Sequence, residues 1–117
     1  MALNKKSVFP ESSQKAALFA KAFSHPARLE ILGYIAQYHS ISCSEIVEKT
    51  PLAQSTVSRH LKELVEAGLL EVRTFGPKSF FSVNRAALKD FWQTFQNTVD
   101  GIVEVGKEPT VFPISPV

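Results

Sequence analysis

A chain of 117 residues, 44% hydrophobic and 21% charged, has the length and composition of one globular domain. The formal net charge of +2 is too small to indicate nucleic-acid binding, so a DNA footprint must come from where the charges lie. The single cysteine, Cys43, excludes an intramolecular disulfide. No apolar run approaches the roughly 20 residues that cross a bilayer, so we expect a cytoplasmic protein without a membrane segment.

The two ends of the chain differ from its middle. Residues 1–11 are expected to form an N-terminal arm, and residues 12–105 a single domain. Residues 106–117 contain three prolines, which exclude a regular helix, and are expected to form a Pro-rich C-terminal tail.

The first two helices are indicated by their starts. Either Ser12 or Ser13 is expected to cap a helix that runs to Phe23. His25 is expected to cap a second helix, because the proline that follows it suits the first helical position. Apolar residues then recur at helical spacing to about Tyr38.

Two further helices follow, separated by a short break. Ser42 and Glu45 have the spacing of a capping box, which predicts a third helix over residues 43–49. Pro51 interrupts the helical pattern, since proline cannot continue a helix. A fourth helix is predicted over residues 54–67, and the glycine after it is free to adopt the left-handed conformation that ends helices.

A hairpin and a long helix complete the predicted domain. Residues 69–75 and 80–83 are rich in β-branched, aromatic and leucine residues and are separated by a turn. Asn84 is expected to cap the last helix. The predicted helices span residues 12–23, 26–38, 43–49, 54–67 and 85–105. Two helices across a short break, followed by a hairpin, predict a mainly α fold with a β-hairpin, the winged helix-turn-helix.

The fourth helix has one apolar and one polar face. At 100° per residue its apolar side, which includes Val57, Leu61 and Leu64, must face the core. The opposite side is small, polar or basic in its first turns and acidic only later, which suits a helix that enters the major groove by its N-terminal end. The predicted DNA contacts, with two cations of the hairpin, are Gln54, Ser55, Thr56, Ser58, Arg59, Lys62, Arg73 and Lys78.

Three segments of the chain carry a family resemblance. Residues 25–32 (HPARLEIL), 54–64 (QSTVSRHLKEL) and 67–69 (AGL) closely resemble the ArsR-type (arsenic-repressor-like) winged-helix family, over about residues 12–103. The resemblance implies a homodimer, joined through the first and last helices, that binds a palindromic operator and blocks transcription until an effector releases it. By motif it carries DNA contacts onto four of the residues above: Gln54, Ser55, Ser58 and Arg59. Ala53 departs from the capping serine often found there.

The metal sites of that family are not matched here. One site type uses two cysteines at the start of the third helix, and those positions are Ser42 and Ser44, whose hydroxyls are poor ligands for soft metals. The other type needs a histidine on the last helix, which has none. We expect no metal and no cofactor. Cys43 is interpreted as a small buried apolar residue, with a redox role as the less favoured alternative.

An aromatic stripe on the last helix predicts a dimer. Such a stripe should not stay exposed on a monomer, although it could instead line an effector pocket with the first helix. The predicted interface comprises Phe19, Phe23, Leu88, Phe91, Trp92, Phe95 and Val99.

The sequence thus predicts a DNA-binding transcriptional regulator, a homodimeric repressor released by an unknown, non-metal effector. An organic ligand, a redox signal and no effector at all are the open alternatives. The alternative is a winged-helix protein-interaction module that does not bind DNA, and the basic residues of the fourth helix and the hairpin argue against it. Paired carboxylates, a Gly-rich phosphate loop and a nucleophile elbow are all missing from the sequence, so an enzyme is not expected.

Overall fold

A computed structural model describes residues 8–105 and places five helices and three strands along them. The helices are α1 (Glu11–Ala22), α2 (Pro26–Ala36), α3 (Cys43–Lys49), α4 (Gln54–Glu66) and α5 (Arg85–Val105). The strands are β1 (Ile41–Ser42), β2 (Leu70–Phe75) and β3 (Lys78–Val83). The predicted winged-helix order is confirmed. The predicted tail, and all but the end of the predicted arm, lie outside the described residues.

Helix α1 begins one residue earlier than predicted. Pro10 is its N-cap, with an extended ψ of 148°, and no side chain caps the helix, so the expected cap at Ser12 or Ser13 is wrong. The carbonyl of Pro10 accepts the Gln14 amide at 3.1 Å and so starts the helical bonding. The C-terminal ends fall one or two residues early, at 22 instead of 23, 36 instead of 38 and 66 instead of 67.

The wing belongs to a three-stranded antiparallel sheet of order β1-β3-β2. The short strand β1, which the sequence did not predict, pairs Ile41 with Phe81. The hairpin strands are 70–75 and 78–83 instead of 69–75 and 80–83, because the turn between them has two residues and not four. Gly76, with φ of 59°, supplies the positive φ that such tight turns need.

Helix α4 passes into β2 through a closed junction at Gly68. This residue has φ of 82°, and its amide donates to the carbonyl of Val65 at 2.9 Å. The amide of Leu69 donates to the carbonyl of Leu64 at 3.0 Å. These are the two bonds of a Schellman motif, which satisfies the last carbonyls of the helix. The predicted stop at Gly68 is confirmed, and almost no free chain separates α4 from the wing.

The core lies between α2, α3, α4 and the sheet. The predicted apolar side of α4 is buried at Val57, Leu61 and Leu64. The fully buried aliphatic residues that meet it are Ile31, Ile35, Ile41, Ile46 and Leu69. One side of α4 is therefore fixed to the body of the domain, and the other is left at the surface.

Helix α5 packs on α1 at the edge of the domain. The Oδ1 atom of Asn84 accepts the Ala87 amide at 3.1 Å, so its predicted cap is confirmed. The ring of Phe19 stacks on Phe91, with 5.7 Å between centroids, and meets Phe95 edge-on at 5.6 Å. No residue of α5 is fully buried within this single chain.

Candidate nucleic-acid interface

The surface side of α4 carries the polar residues that the sequence singled out. Gln54, Ser55, Ser58, Arg59 and Lys62 are exposed, and Thr56 is half-buried. The helix has no acidic residue before residue 63. Its N-cap, Ala53, makes no side-chain capping bond, as the departure from the family serine predicted. The first amides of α4 therefore have no side-chain acceptor from the N-cap.

A groove of about 600 Å³ separates α4 from the wing. Gln54, Ser58 and Lys62 line it from the helix, and Lys78 and Ser79 line it from β3. The structure thus brings one predicted wing cation to the same groove as α4. Neither Lys62 nor Lys78 forms an ion pair with another residue in the range 8–105.

Arg73, the second predicted wing cation, lies elsewhere. It lines a separate groove of about 360 Å³, together with His39, Phe75 and Phe80. Successive side chains of a strand point to opposite faces of the sheet, and Arg73 alternates with Val72, which lines the groove beside α4. The structure therefore does not bring Arg73 and Lys78 to one groove.

The start of α3 lies behind α4 and is held by the predicted capping box. The Glu45 amide donates to Ser42 Oγ at 3.2 Å, and the Ser42 amide donates to Glu45 Oε1 at 3.1 Å. The Ser42 hydroxyl also donates to Glu45 Oε1 at 2.9 Å, and the two bonds that this carboxylate accepts from the Ser42 amide and hydroxyl hold the pKa of Glu45 below its ordinary value. Ser44 Oγ lies 3.1 Å from Ser42 Oγ. The two positions that hold cysteines in one family metal site are thus joined here by hydroxyls.

Within the described part of the chain, no group of three or more His, Cys, Asp or Glu residues is placed to hold a metal ion. Cys43 is half-buried and packs against the core, and its Sγ lies 3.6 Å from Ser58 Oγ of α4. The thiol is therefore a packing contact between α3 and α4. Its redox role remains a hypothesis.

A polar link that the sequence did not show holds α4 from the other side. The His60 side chain is buried, and its Nδ1 accepts from Arg28 Nε at 3.2 Å. Arg28 Nη1 also donates to the carbonyl of Lys21 at 3.0 Å, so one guanidinium joins α1, α2 and α4. His60 is therefore a buried hydrogen-bonding residue of α4. The predicted cap at His25 is confirmed by a bond of 3.2 Å from the Ala27 amide to His25 Nδ1.

The environment of His60 opposes a positive charge. Burial lowers its pKa, and the neighbouring His25, Arg28 and Arg59 lower it further, against a smaller opposite effect of Glu63. Because Arg28 Nε can only donate, the proton of the neutral imidazole lies on Nε2. That atom is buried and has no hydrogen-bond partner among the described residues.

The predicted dimer residues divide into two groups. Phe19 is buried inside the single chain, where its ring contacts Phe23, Phe91 and Phe95. Trp92 and Val99 form the other group and face outward, and 55% of Trp92 is exposed. Ile102 and Val103 extend this exposed apolar stripe toward the end of α5.

Known proteins share this sequence pattern. Residues 23–73 match the family described as Helix-turn-helix domain. An uncharacterized HTH-type transcriptional regulator of Methanocaldococcus jannaschii is 36% identical over 73 residues, which cover 62% of this chain and 82% of the relative. The arsenical resistance operon repressor of Staphylococcus aureus is 32% identical over 82 residues, covering 70% and 78%. This chain belongs to the ArsR-type family of helix-turn-helix transcriptional regulators.

The solved structures agree on the fold. An ArsR-like transcriptional regulator from Rhodococcus sp. RHA1 has a TM-score of 0.69 at 20% identity, covering 86% of this chain and 100% of that one. The ArsR-type winged helix is confirmed, and the protein is a DNA-binding transcriptional regulator. The family is one of regulators and not of enzymes. None of the helices within residues 8–105 has the length and apolarity needed to cross a membrane.

Proposed function

We propose that this ArsR-type protein is a homodimeric, cytoplasmic repressor that binds a two-fold operator in duplex DNA and is released by a non-metal effector. The observation that carries the proposal is the exposed, acid-free first half of α4, which opens onto a groove shared with the wing. Relatives named as repressors, such as that of Staphylococcus aureus, support repression as the outcome of binding.

The residues of this surface suit base and phosphate recognition. Gln54 can pair with the major-groove edge of adenine through two hydrogen bonds, and Arg59 with that of guanine. Ser55 and Ser58 are small enough to let the helix approach the base edges. Lys62 and Lys78 line the same groove, which supports a role for both in binding phosphates. The uncapped N-terminus of α4 adds amides that favour phosphate.

The exposed face of α5 supports a dimer. An amphipathic helix of 21 residues without a fully buried residue normally packs on a partner. Beneath this exposed face, the ring of Phe19 packs against rings of α5 and so holds the helix in place within each chain. A second copy would cover Trp92, Val99, Ile102 and Val103, and the two α4 helices would then read half-sites about one DNA turn, roughly 34 Å, apart.

The hydroxyls at Ser42 and Ser44 support a non-metal effector. Soft metals bind thiolates far better than hydroxyls, and Ser42 Oγ already serves the capping box. An organic ligand or a redox signal is the proposed class of effector.

Binding to DNA is tested by a salt series. The DNA upstream of the protein's own gene is compared with random duplex by fluorescence anisotropy. We expect sequence-preferring binding with a steep negative slope of log K on log salt. Arg59→Ala should weaken specific binding by about 1–3 kcal/mol, whereas the control Lys89→Ala, which removes an exposed cation of α5, should not. Equal loss in both variants would contradict the assignment of α4, and weak binding to every duplex would favour a protein-interaction module.

The dimer is tested by sedimentation. Trp92→Glu places a charge in the exposed stripe of α5 and should give a monomer. The control Asn97→Glu adds the same charge about 140° around the helix and should leave the mass unchanged. A dimer that survives Trp92→Glu would remove this face from the interface.

A further inference from the structure

An aromatic residue stands at the tip of the wing. Phe75 is the last residue of β2, directly before the Gly76 turn, and 64% of its surface is exposed. Its ring meets the half-buried Phe80 edge-on, with 5.9 Å between centroids. Phe80 lies on the next strand, opposite Arg73. Phe75 is thus a projecting ring with a second ring behind it, and its position is set by the sheet.

The charges around this ring are positive toward the tip of the wing. Lys78 is the cross-strand partner of Phe75. Arg73 lies two residues before Phe75 on β2, and Arg73 and Phe75 line one groove. Among the described residues that line that groove, the only carboxylate is Glu71, which lies at the other end of the hairpin, opposite Ser82. An apolar ring between two exposed cations matches a ligand that presents stacked apolar surfaces between phosphates.

We propose that Phe75 acts as a wedge that enters the minor groove beside the operator half-site and partly unstacks one base step. Arg73 and Lys78 would bind the phosphates that flank that step. The inference rests on the proposed binding of α4 in the major groove, which carries the wing to the neighbouring DNA. Isolated exposed apolar residues are normal on protein surfaces, but apolar wedges flanked by cations are the means by which minor-groove proteins bend DNA.

The wedge has a definite consequence for the DNA. Insertion of an apolar side chain kinks the duplex toward the major groove, and pyrimidine–purine steps yield most easily. The bound operator should therefore be bent, with a flexible step such as TA or CA in the flank of each half-site. Sequence preference would then extend to positions that α4 does not touch.

The test uses the full-length protein and a duplex that the wild type has selected from a random library. The adenine analogue 2-aminopurine replaces single bases along the flank, because its fluorescence rises when it unstacks, and dyes at the two DNA ends report the bend by energy transfer. The variants are Phe75→Ala and Phe75→Leu. Thr74→Ala, an exposed neighbour in β2, is the matched control.

Wild type, Phe75→Leu and Thr74→Ala should unstack one flanking step and bend the DNA. Phe75→Ala should lose both signals and bind about 5- to 100-fold more weakly, with an unchanged salt slope because no charge is removed. A Phe75→Ala complex as bent and as tight as the wild type would overturn the wedge while leaving the repressor proposal intact. If the wild type selects no duplex at all, the proposed function fails and the wedge with it.

Discussion

Replacement of Arg28 by alanine should destabilise the domain far more than its partly exposed position suggests. The guanidinium makes two bonds, from Nε to His60 Nδ1 at 3.2 Å and from Nη1 to the carbonyl of Lys21 at 3.0 Å. In Arg28→Ala both bonds are lost, and His60 keeps two ring nitrogens without a partner in a site that is 1% exposed.

The size of the effect follows from these two bonds. A buried acceptor left without its donor costs about 1–3 kcal/mol, whereas the exposed bond to Lys21 is worth about 0.5–1 kcal/mol. We expect Arg28→Ala to lower the free energy of unfolding by about 1.5–4 kcal/mol in sum. In a His60→Leu background the same change should cost only about 1 kcal/mol, since the buried acceptor is already gone.

The assay is urea unfolding followed by circular dichroism at neutral pH, with protein concentration held constant because association stabilises the folded state. The matched control is Arg85→Ala, which removes one bond from an exposed guanidinium to the carbonyl of Ala36 at 3.1 Å. It should cost at most about 1 kcal/mol. If the two arginine variants differ by less than about 0.5 kcal/mol, the reasoning on the buried acceptor is refuted.

Three further predictions concern neighbouring features. Because the pKa of His60 is lowered in the folded chain, the unfolded chain takes up the proton first, and the free energy of unfolding should fall as pH drops below about 6.5, by at most about 1.4 kcal/mol per pH unit. Ser42→Ala should cost about 1–2 kcal/mol in urea unfolding, since it removes the hydroxyl that accepts the Glu45 amide. Gly68→Ala should lower the free energy of unfolding by about 1–2 kcal/mol, because φ is 82° at this position. The added Cβ meets nothing within 4 Å, so the cost comes from the backbone alone.

Each of these has a control within the chain. His60→Leu should reduce the loss of stability below pH 6.5, and an unchanged pH profile would assign that loss to other groups. Ser40→Ala removes an exposed hydroxyl just outside the capping box and should be neutral. Gly33→Ala lies in α2, where the added Cβ also meets nothing, and should stabilise by about 0.5–1 kcal/mol. Equal effects at Gly33 and Gly68 would contradict the argument from backbone strain.

The parts of this protein that were predictable are those with local causes. The capping box at Ser42, the caps at His25 and Asn84, and the stop at Gly68 all depend on residues within a few positions of each other, and the structure confirms them. The apolar side of α4 follows from helical spacing alone. These local signals were enough to establish the order of the elements.

The features that escaped prediction depend on tertiary contacts. Strand β1 has two residues, too few for any periodicity, and exists because β3 offers it a partner. The Arg28–His60 bond joins residues 32 positions apart, which no spacing rule connects. Arg73 and Lys78 line separate grooves although the pairing of Phe75 with Lys78 puts them on one face of the hairpin, so the difference depends on how the hairpin sits in the fold and not on a local pattern. The roles of α4, the wing cations and the α5 stripe remain proposals.

The closed junction at Gly68 has a bearing on how such proteins diversify. Both Schellman bonds are made, and the Asn84 amide donates to the carbonyl of Leu69 at 2.9 Å. Helix α4 and the wing therefore form one rigid unit without a hinge. In the proposed dimer, α4 and the wing set which bases are recognised, and the pairing of the two α5 helices sets the distance between the half-sites. Substitutions can accumulate in the α4–wing unit without disturbing the α5 pairing, and the reverse also holds. A lineage can therefore change its base preference and its half-site spacing in separate evolutionary steps.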